Sequence, residues 1–275
     1  MHPYAIIENK FKQKLLTPKD DFIARHIVRY GIYDQIGIFF IEKILSQLQD
    51  PITFDIGANI GNHALVMSKY SKMVYLFEPQ SDIQQLLQET MKLNEINNWK
   101  IFSGLSDINE TVTFYKNLDG NNGASTFSSE LKREGCIEEK FTLQQGDQIV
   151  KDNEIEKVDF IKLDVEGYES KVLHGLIHTI HRFKPIIMIE WNNEITRKQF
   201  VKYDLFNTLF FDYTIKAVMY NTDKSYFHNK LFRKIRRKWN KLFNKKIVMT
   251  KFIPTLDYEH VFFIPNSKIS LFNKV

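Results

Sequence analysis

The apolar positions of the chain change rhythm along its length. In the first 48 residues they recur at helical spacing. Phe22, Ile23, Ile27 and Val28 predict a helix over 22–30, Gly31 interrupts it, and the apolar-rich run 36–48 predicts a second. Residues 1–48 are therefore expected to form a helical cap, and 49–275 the main domain. In that domain short apolar runs alternate with amphipathic stretches. Runs at 52–56, 73–77 and 100–102 predict strands, and 62–70 and 83–93 predict the helices between them. An irregular middle segment, 104–150, has weaker strand signals at 111–115 and 141–143 and a loop at 119–123. The alternation then resumes with strand 158–163, helix 168–181, strand 186–189, helix 196–209 and strands 213–219 and 261–264. Strands and helices at this spacing imply βαβ units, hence an α/β fold whose mostly parallel sheet has about seven strands and helices on both faces. The last two strands suit an antiparallel pair at one edge.

Composition adds limits. With 275 residues, 43% apolar and 14% aromatic, the chain has material for a large core, and global disorder is excluded. No apolar run approaches the ~18–20 residues that span a bilayer. The opening residues carry Glu8, Lys10, Lys12 and Lys14 and no apolar stretch, so a secretory signal is not expected. The one cysteine, Cys136, excludes an intrachain disulfide and a cysteine-based zinc site. His174, His178 and His181 share a helical spacing, but surface positions account for them, and no metal is expected. A cytoplasmic protein fits these features.

The net charge of +5 is uneven. Eleven Lys and Arg and no acid lie between Lys224 and Lys251, leaving 27 basic residues against 33 acidic elsewhere, or −6. Within 228–246, Leu231, Ile235, Trp239 and Leu242 fall on one helical face, widened by Phe232 and Phe243, with cations around the rest. A basic amphipathic helix of this kind packs on a sheet edge with its lysines solvated, lies on an anionic membrane, or grips a polyanion. The second reading would make the protein peripheral at the inner face of a membrane.

In an open α/β sheet, ligands bind beyond the carboxyl ends of the strands, at the switch in strand order. After the first strand of the main domain comes Asp55-Ile56-Gly57-Ala58-Asn59-Ile60-Gly61-Asn62-His63, and after the second, Glu78. Glycines let the backbone turn and approach a ligand closely. A carboxylate at Glu78 is placed to accept from two ribose hydroxyls. A dinucleotide fingerprint requires G-x-G-x-x-G to seat a pyrophosphate. The spacing here is G-x-x-x-G, which suits S-adenosylmethionine, a ligand without phosphate.

Further motifs are Leu76-Phe77-Glu78-Pro79, Gly104-Leu105-Ser106-Asp107, Phe160-Ile161-Lys162-Leu163-Asp164-Val165-Glu166-Gly167-Tyr168-Glu169 and Ile187-Met188-Ile189-Glu190. Together these runs resemble the FkbM-type family of S-adenosylmethionine-dependent methyltransferases, within the class I Rossmann-like fold. The resemblance covers about residues 30–220. It implies that Asp55, Gly57, Asn59 and Gly61 line the methionine end of S-adenosylmethionine, that Glu78 holds the ribose, and that Ser106 and Asp107 sit by the adenine. It places Asp164 where the methyl group faces the acceptor. Asp34 stands where the family pattern has Glu, which puts a role for that acid in doubt.

An alcohol acceptor benefits from a general base, worth roughly 10²–10⁴ in rate. The candidates are Asp164, Glu166 and His63. Asp164 equally suits a cofactor-orienting role, and Glu166 a helix start. The run after the fourth strand is acidic and lacks the proline-aromatic motif of base N-methylation, so nucleic acid is not the expected acceptor. The family's usual reading is O-methylation of a sugar, glycan or other small acceptor. The rivals are an NAD-linked sugar oxidoreductase and a nucleic-acid-binding protein on a degenerate fold of the same type.

Overall fold

The computed structural model describes residues 3–19, 21–116, 134–165, 167–220 and 247–274. The basic segment 228–246, the loop 119–123 and Glu166 lie outside them.

The chain opens differently from the helical expectation. β1 (Tyr4–Glu8) and β2 (Lys14–Pro18) pair as an antiparallel hairpin before α1 (Phe22–Tyr30) and α2 (Gln35–Leu45). The five-residue strands are too short to show a period against the helical stretch that follows. Their register is held from outside: Leu15 is fully buried, and the Leu16 N–H donates to Thr90 Oγ1 at 3.0 Å. Two parallel units follow, β3 (Ile52–Ile56), α3 (Ala64–Tyr70), β4 (Met73–Phe77), α4 (Ser81–Leu93) and β5 (Trp99–Phe102). The irregular middle segment contributes a small sheet of β6 (Leu105–Ser106), β7 (Glu110–Lys116) and β8 (Ile137–Gln145), then α5 (Gly146–Asp152). β9 (Phe160–Leu163) leads to α6 (Glu169–Gly175) and α7 (Ile177–Phe183). The single helix expected there divides at Leu176, so His174 is on a different helix from His178 and His181. β10 (Ile186–Trp191), α8 (Glu194–Lys202), α9 (Leu205–Thr208), β11 (Tyr213–Tyr220), β12 (Ile247–Lys251) and β13 (Tyr258–Pro265) complete the order.

Among the described residues the main sheet has eight strands, in the order β5-β4-β3-β9-β10-β13-β11-β12. The five from β5 to β10 are parallel. β13 runs antiparallel to both β10 and β11, and β12 runs antiparallel to β11. The eighth strand, β12, lies at the end of the stretch expected to be helical, where Ile247-Val248-Met249-Thr250 is better suited to a pleated edge. The chain leaves β3 toward β4 on one side and later places β9 on the other, so the switch in order lies between β3 and β9.

Strand periodicity divides the core. Phe54, Ile56, Ile161, Leu163, Val261 and Phe263 face the layer of α5–α9. Phe160, Phe262 and Ile264 face the layer of α1–α4. By the same alternation Asp55 on β3, Lys162 on β9 and His260 on β13 point toward the α1–α4 layer. No helix among the described residues is long and apolar enough to cross a membrane.

Candidate functional site

The loop after β3 is shaped by two glycines. Gly57 has φ of 78°, and a Cβ there would stand 1.9 Å from the Asp164 carbonyl oxygen. Gly61 has φ of 97°, and its Cβ would meet Leu87 at 2.8 Å. The left-handed backbone and the lack of room both demand glycine. The loop is thereby drawn against the chain leaving β9, where the Asp164 N–H donates to Ile56 O at 3.0 Å.

Glu78, just beyond β4, closes the other side. The Asn59 N–H donates to its Oε2 at 3.1 Å and the Gln80 N–H to its Oε1 at 3.1 Å. Burial pushes the Glu78 carboxyl up to about 7, against the pull of those amides. Asp55 is fully buried, and neither of its oxygens has a hydrogen bond. Its charge is met by Lys162, whose Nζ lies 3.4 Å away and donates to Gly57 O at 2.8 Å. Asp164 is 3.6 Å from the same ammonium, with its side chain 36% exposed. Burial works against the Lys162 charge, but Asp55 and Asp164 raise its pKa above the ordinary value.

Ser106 and Asp107 stand beside this crevice, since Gly104 packs so closely on Pro79 that a Cβ would be 3.0 Å from it. Ser106 is fully buried. Its hydroxyl lies 3.0 Å from Asp107 Oδ1 and also bonds Glu110. Glu110 in turn accepts from Tyr168 Oη at 2.7 Å and Lys171 Nζ at 2.9 Å.

His63, which ends the glycine loop, is buried, and one edge of its ring is turned to the cap of α2. Its Nε2 lies 2.8 Å from Asp34 Oδ2, and His260 Nε2 lies 2.8 Å from Asp34 Oδ1. Burial would raise the Asp34 pKa, but the two imidazoles overcome it and hold the carboxyl well below the usual range. Burial disfavours a charged His260 ring, yet Asp34 raises its pKa above the ordinary value.

Asp55, Gly57, Asn59, Gly61, Glu78 and Asp164 thus converge on the switch point, with Ser106 and Asp107 alongside. Sequence reasoning assigned no role to Lys162 or His260, and left Asp34 in doubt. Their signal was available: Lys162 and His260 each interrupt an apolar strand on one face. Such an interruption inside a buried strand needs a partner.

The methyltransferase FkbM domain model matches residues 55–237. The chain belongs to the FkbM methyltransferase family. Its sheet is accordingly the Rossmann-like class I arrangement of such enzymes. Among relatives of this FkbM-family chain, the hexuronic acid methyltransferase AglP of Haloferax volcanii is 29% identical over 140 residues, 51% of this chain and 56% of that protein. The methyltransferase sdnD of Sordaria araneosa is 28% identical over 53% of this chain and 68% of its own. A crystal structure of a methyltransferase FkbM from Methylobacillus flagellatus aligns at 16% identity with a TM-score of 0.49, covering 84% of this chain and 46% of the other. The chain spans little more than half the length of the Haloferax relative.

Proposed function

We propose that this protein is an S-adenosylmethionine-dependent methyltransferase that methylates an oxygen of a sugar, glycan or other small acceptor. The observation that carries the reading is Glu78, a carboxylate buried beyond β4 and facing the amide of Asn59 across the glycine loop at the switch point. A ribose diol donates to a carboxylate so placed. The residues fit the rest of the ligand. Asp55 has two buried oxygens without hydrogen bonds, which suit the cationic methionine portion. Gly57, Asn59 and Gly61 let that portion approach the backbone. Asp107 would accept from the adenine amine, beside the buried Ser106 hydroxyl, which can donate to either Glu110 or Asp107. S-adenosylmethionine supplies a methyl group already activated on a sulfonium. What the chain must add is alignment of the acceptor, worth about 7–11 kcal/mol when complete. The hexuronic acid named for the Haloferax relative supports a sugar acceptor.

Calorimetry tests the reading. The protein is expected to bind S-adenosylmethionine and not NAD. Glu78→Ala is expected to weaken that binding about ten- to a hundredfold, the loss of a charge-assisted hydrogen bond. Unchanged affinity in the variant would place the ribose elsewhere.

A second reading concerns where the enzyme works. The cationic segment of residues 224–251 holds eleven Lys and Arg without an acid, and favours contact with an anionic membrane. Each engaged cation contributes about 1 kcal/mol near such a surface. Phosphatidylglycerol vesicles are expected to pellet the protein at low salt and release it at high salt. Pelleting that survives replacement of Arg233, Arg236 and Arg237 by Glu would exclude this reading.

A further inference from the structure

Three stretches far apart in the chain converge on one carboxylate. Asp34 caps α2, His63 precedes α3, and His260 lies on β13. We propose that Asp34, backed by His260, fixes the His63 ring with Nδ1 open, so that His63 takes the proton of a hydroxyl acceptor. The proposal rests on the methyltransferase reading above and narrows its acceptor to a hydroxyl, since a carboxylate acceptor is already ionised and needs no base.

The hydrogen bonds decide the tautomer. A carboxylate only accepts, so a ring nitrogen at 2.8 Å from each Asp34 oxygen must carry a hydrogen. Both rings therefore present Nε2–H to Asp34. For His260 the carboxylate also favours the charged ring, which balances the Asp34 charge. His63 is left with Nδ1 as its free position, the orientation an acid–base histidine takes from its carboxylate. A capping role alone explains the bond from Gly37 N–H to Asp34 Oδ1, at 3.0 Å. It does not explain two imidazoles, each only 10% exposed in its side chain, on the same group.

Two features show that the backbone is fitted to this cluster. Asp34 sits in the left-handed region at φ 47°. Gly37 is inside α2, where a Cβ would lie 2.0 Å from Asp34 Oδ2 and 2.9 Å from His260 Nε2. Glycine is costly in a helix, by about 1 kcal/mol, and here it leaves room for the carboxylate and the ring. The cluster also borders the cofactor loop. His63 follows Gly61 and Asn62 directly, Asp34 acts electrostatically on Lys162, and Asp164 acts on His260. Asn62 donates to Tyr33 O at 3.3 Å, and its buried Oδ1 has no hydrogen-bond partner, an acceptor that a second hydroxyl would satisfy.

The step balances. The acceptor proton passes to His63 Nδ1, the oxygen's electron pair forms the bond to the methyl carbon, and the carbon–sulfur pair stays on sulfur as a thioether. The imidazolium so formed keeps its Nε2–H on Asp34.

Asp34→Asn is the discriminating variant: Asn presents one carbonyl oxygen and one NH2 group, and the side that faces a ring with NH2 can no longer accept from it. The first readout needs no acceptor. In ¹⁵N-histidine spectra of the full chain at neutral pH, the His63 ring, assigned by its loss in His63→Gln, is expected to carry its proton on Nε2 with Nδ1 bare. Asp34→Asn and, as a second variant, His260→Gln should shift that ring toward the other tautomer. The second readout is transfer of labelled methyl to nitrophenyl glycosides. Asp34→Asn should lower kcat, by up to the 10²–10⁴ of a general base, with unchanged S-adenosylmethionine affinity. Imidazole should partly restore His63→Gly. A proton on Nδ1 in the wild type overturns the proposal, as does full turnover in His63→Gln when Asp164→Asn is inactive. If no glycoside is methylated, the ring spectra decide. Wild-type protein that fails to bind S-adenosylmethionine would sink the methyltransferase reading instead and leave the spectra to judge the clamp.

Discussion

At Gly57 a single methyl group decides whether the site exists. Its φ of 78° would strain any L side chain, and the added Cβ would press on the Asp164 carbonyl at 1.9 Å. Both partners are backbone, so neither can swing away, and the ends of β3 and β9 would have to part. Gly57→Ala is expected to cost roughly 2–5 kcal/mol of stability and to abolish S-adenosylmethionine binding in calorimetry. Gly135 has the same φ of 78° but, among the described residues, nothing within 4 Å, so Gly135→Ala isolates the strain and should cost only about 1–2 kcal/mol. Equal losses at the two positions in urea unfolding would mean that the close approach of the two loops is unimportant.

At the scale of elements, the parallel strands β3, β4, β9 and β10 were legible because each is mostly buried on both faces and reads as an apolar run, which the half-buried edge strand β5 shows only weakly. The glycine loop and Glu78 were legible because their spacing from strand ends is set by the fold. The hairpin β1–β2 was not, since its register is held by α4, and neither was β12, whose short apolar run Ile247-Val248-Met249 sits at the end of a basic stretch. The charged cluster was half legible. The alternation in Phe160-Ile161-Lys162-Leu163 puts Lys162 on the face of Asp55, its register partner across β3 and β9. No sequence rule, however, brings His260 to Asp34 across 226 positions. That register pair makes a prediction about the strands. Lys162→Met would leave the fully buried Asp55 without its counter-charge, and breaking a buried pair costs about 3–5 kcal/mol. Adding Asp55→Asn should recover part of the loss, a coupling readable from a double-mutant cycle of urea unfolding. Additive losses would show that Asp55 does not depend on Lys162.

For the whole molecule, the buried ionisable groups set a pH dependence whose sign can be worked out. Glu78 rises from an ordinary 4.5 to about 7 on folding. Its contribution is therefore fully present below pH 4.5 and lost as the pH climbs to about 7, a difference of roughly 3 kcal/mol at 1.36 kcal/mol per unit. Asp21 and Glu169, both raised chiefly by burial, act in the same direction. His260, raised by Asp34 against the effect of burial, contributes below pH 6.5 and loses that contribution as the pH passes its folded value. Asp34 opposes them at the acid end: its depressed pKa gives stability present above 3.8 and lost as the pH falls below that. Lys162, raised above 10.5, keeps its contribution throughout this window. The free protein should thus be most stable in mild acid and weaken from about pH 5 to about pH 7.5. Ionised Glu78 accepts from both ribose hydroxyls and more strongly than the neutral acid, so S-adenosylmethionine should bind more tightly as the pH rises through about 7, and its presence should flatten the decline. Glu78→Gln removes the titration and should flatten the curve of the free protein while abolishing the pH dependence of binding. Urea unfolding across that range, with and without S-adenosylmethionine, reads both effects. A Glu78→Gln curve as steep as the wild type would show that Glu78 does not govern the decline.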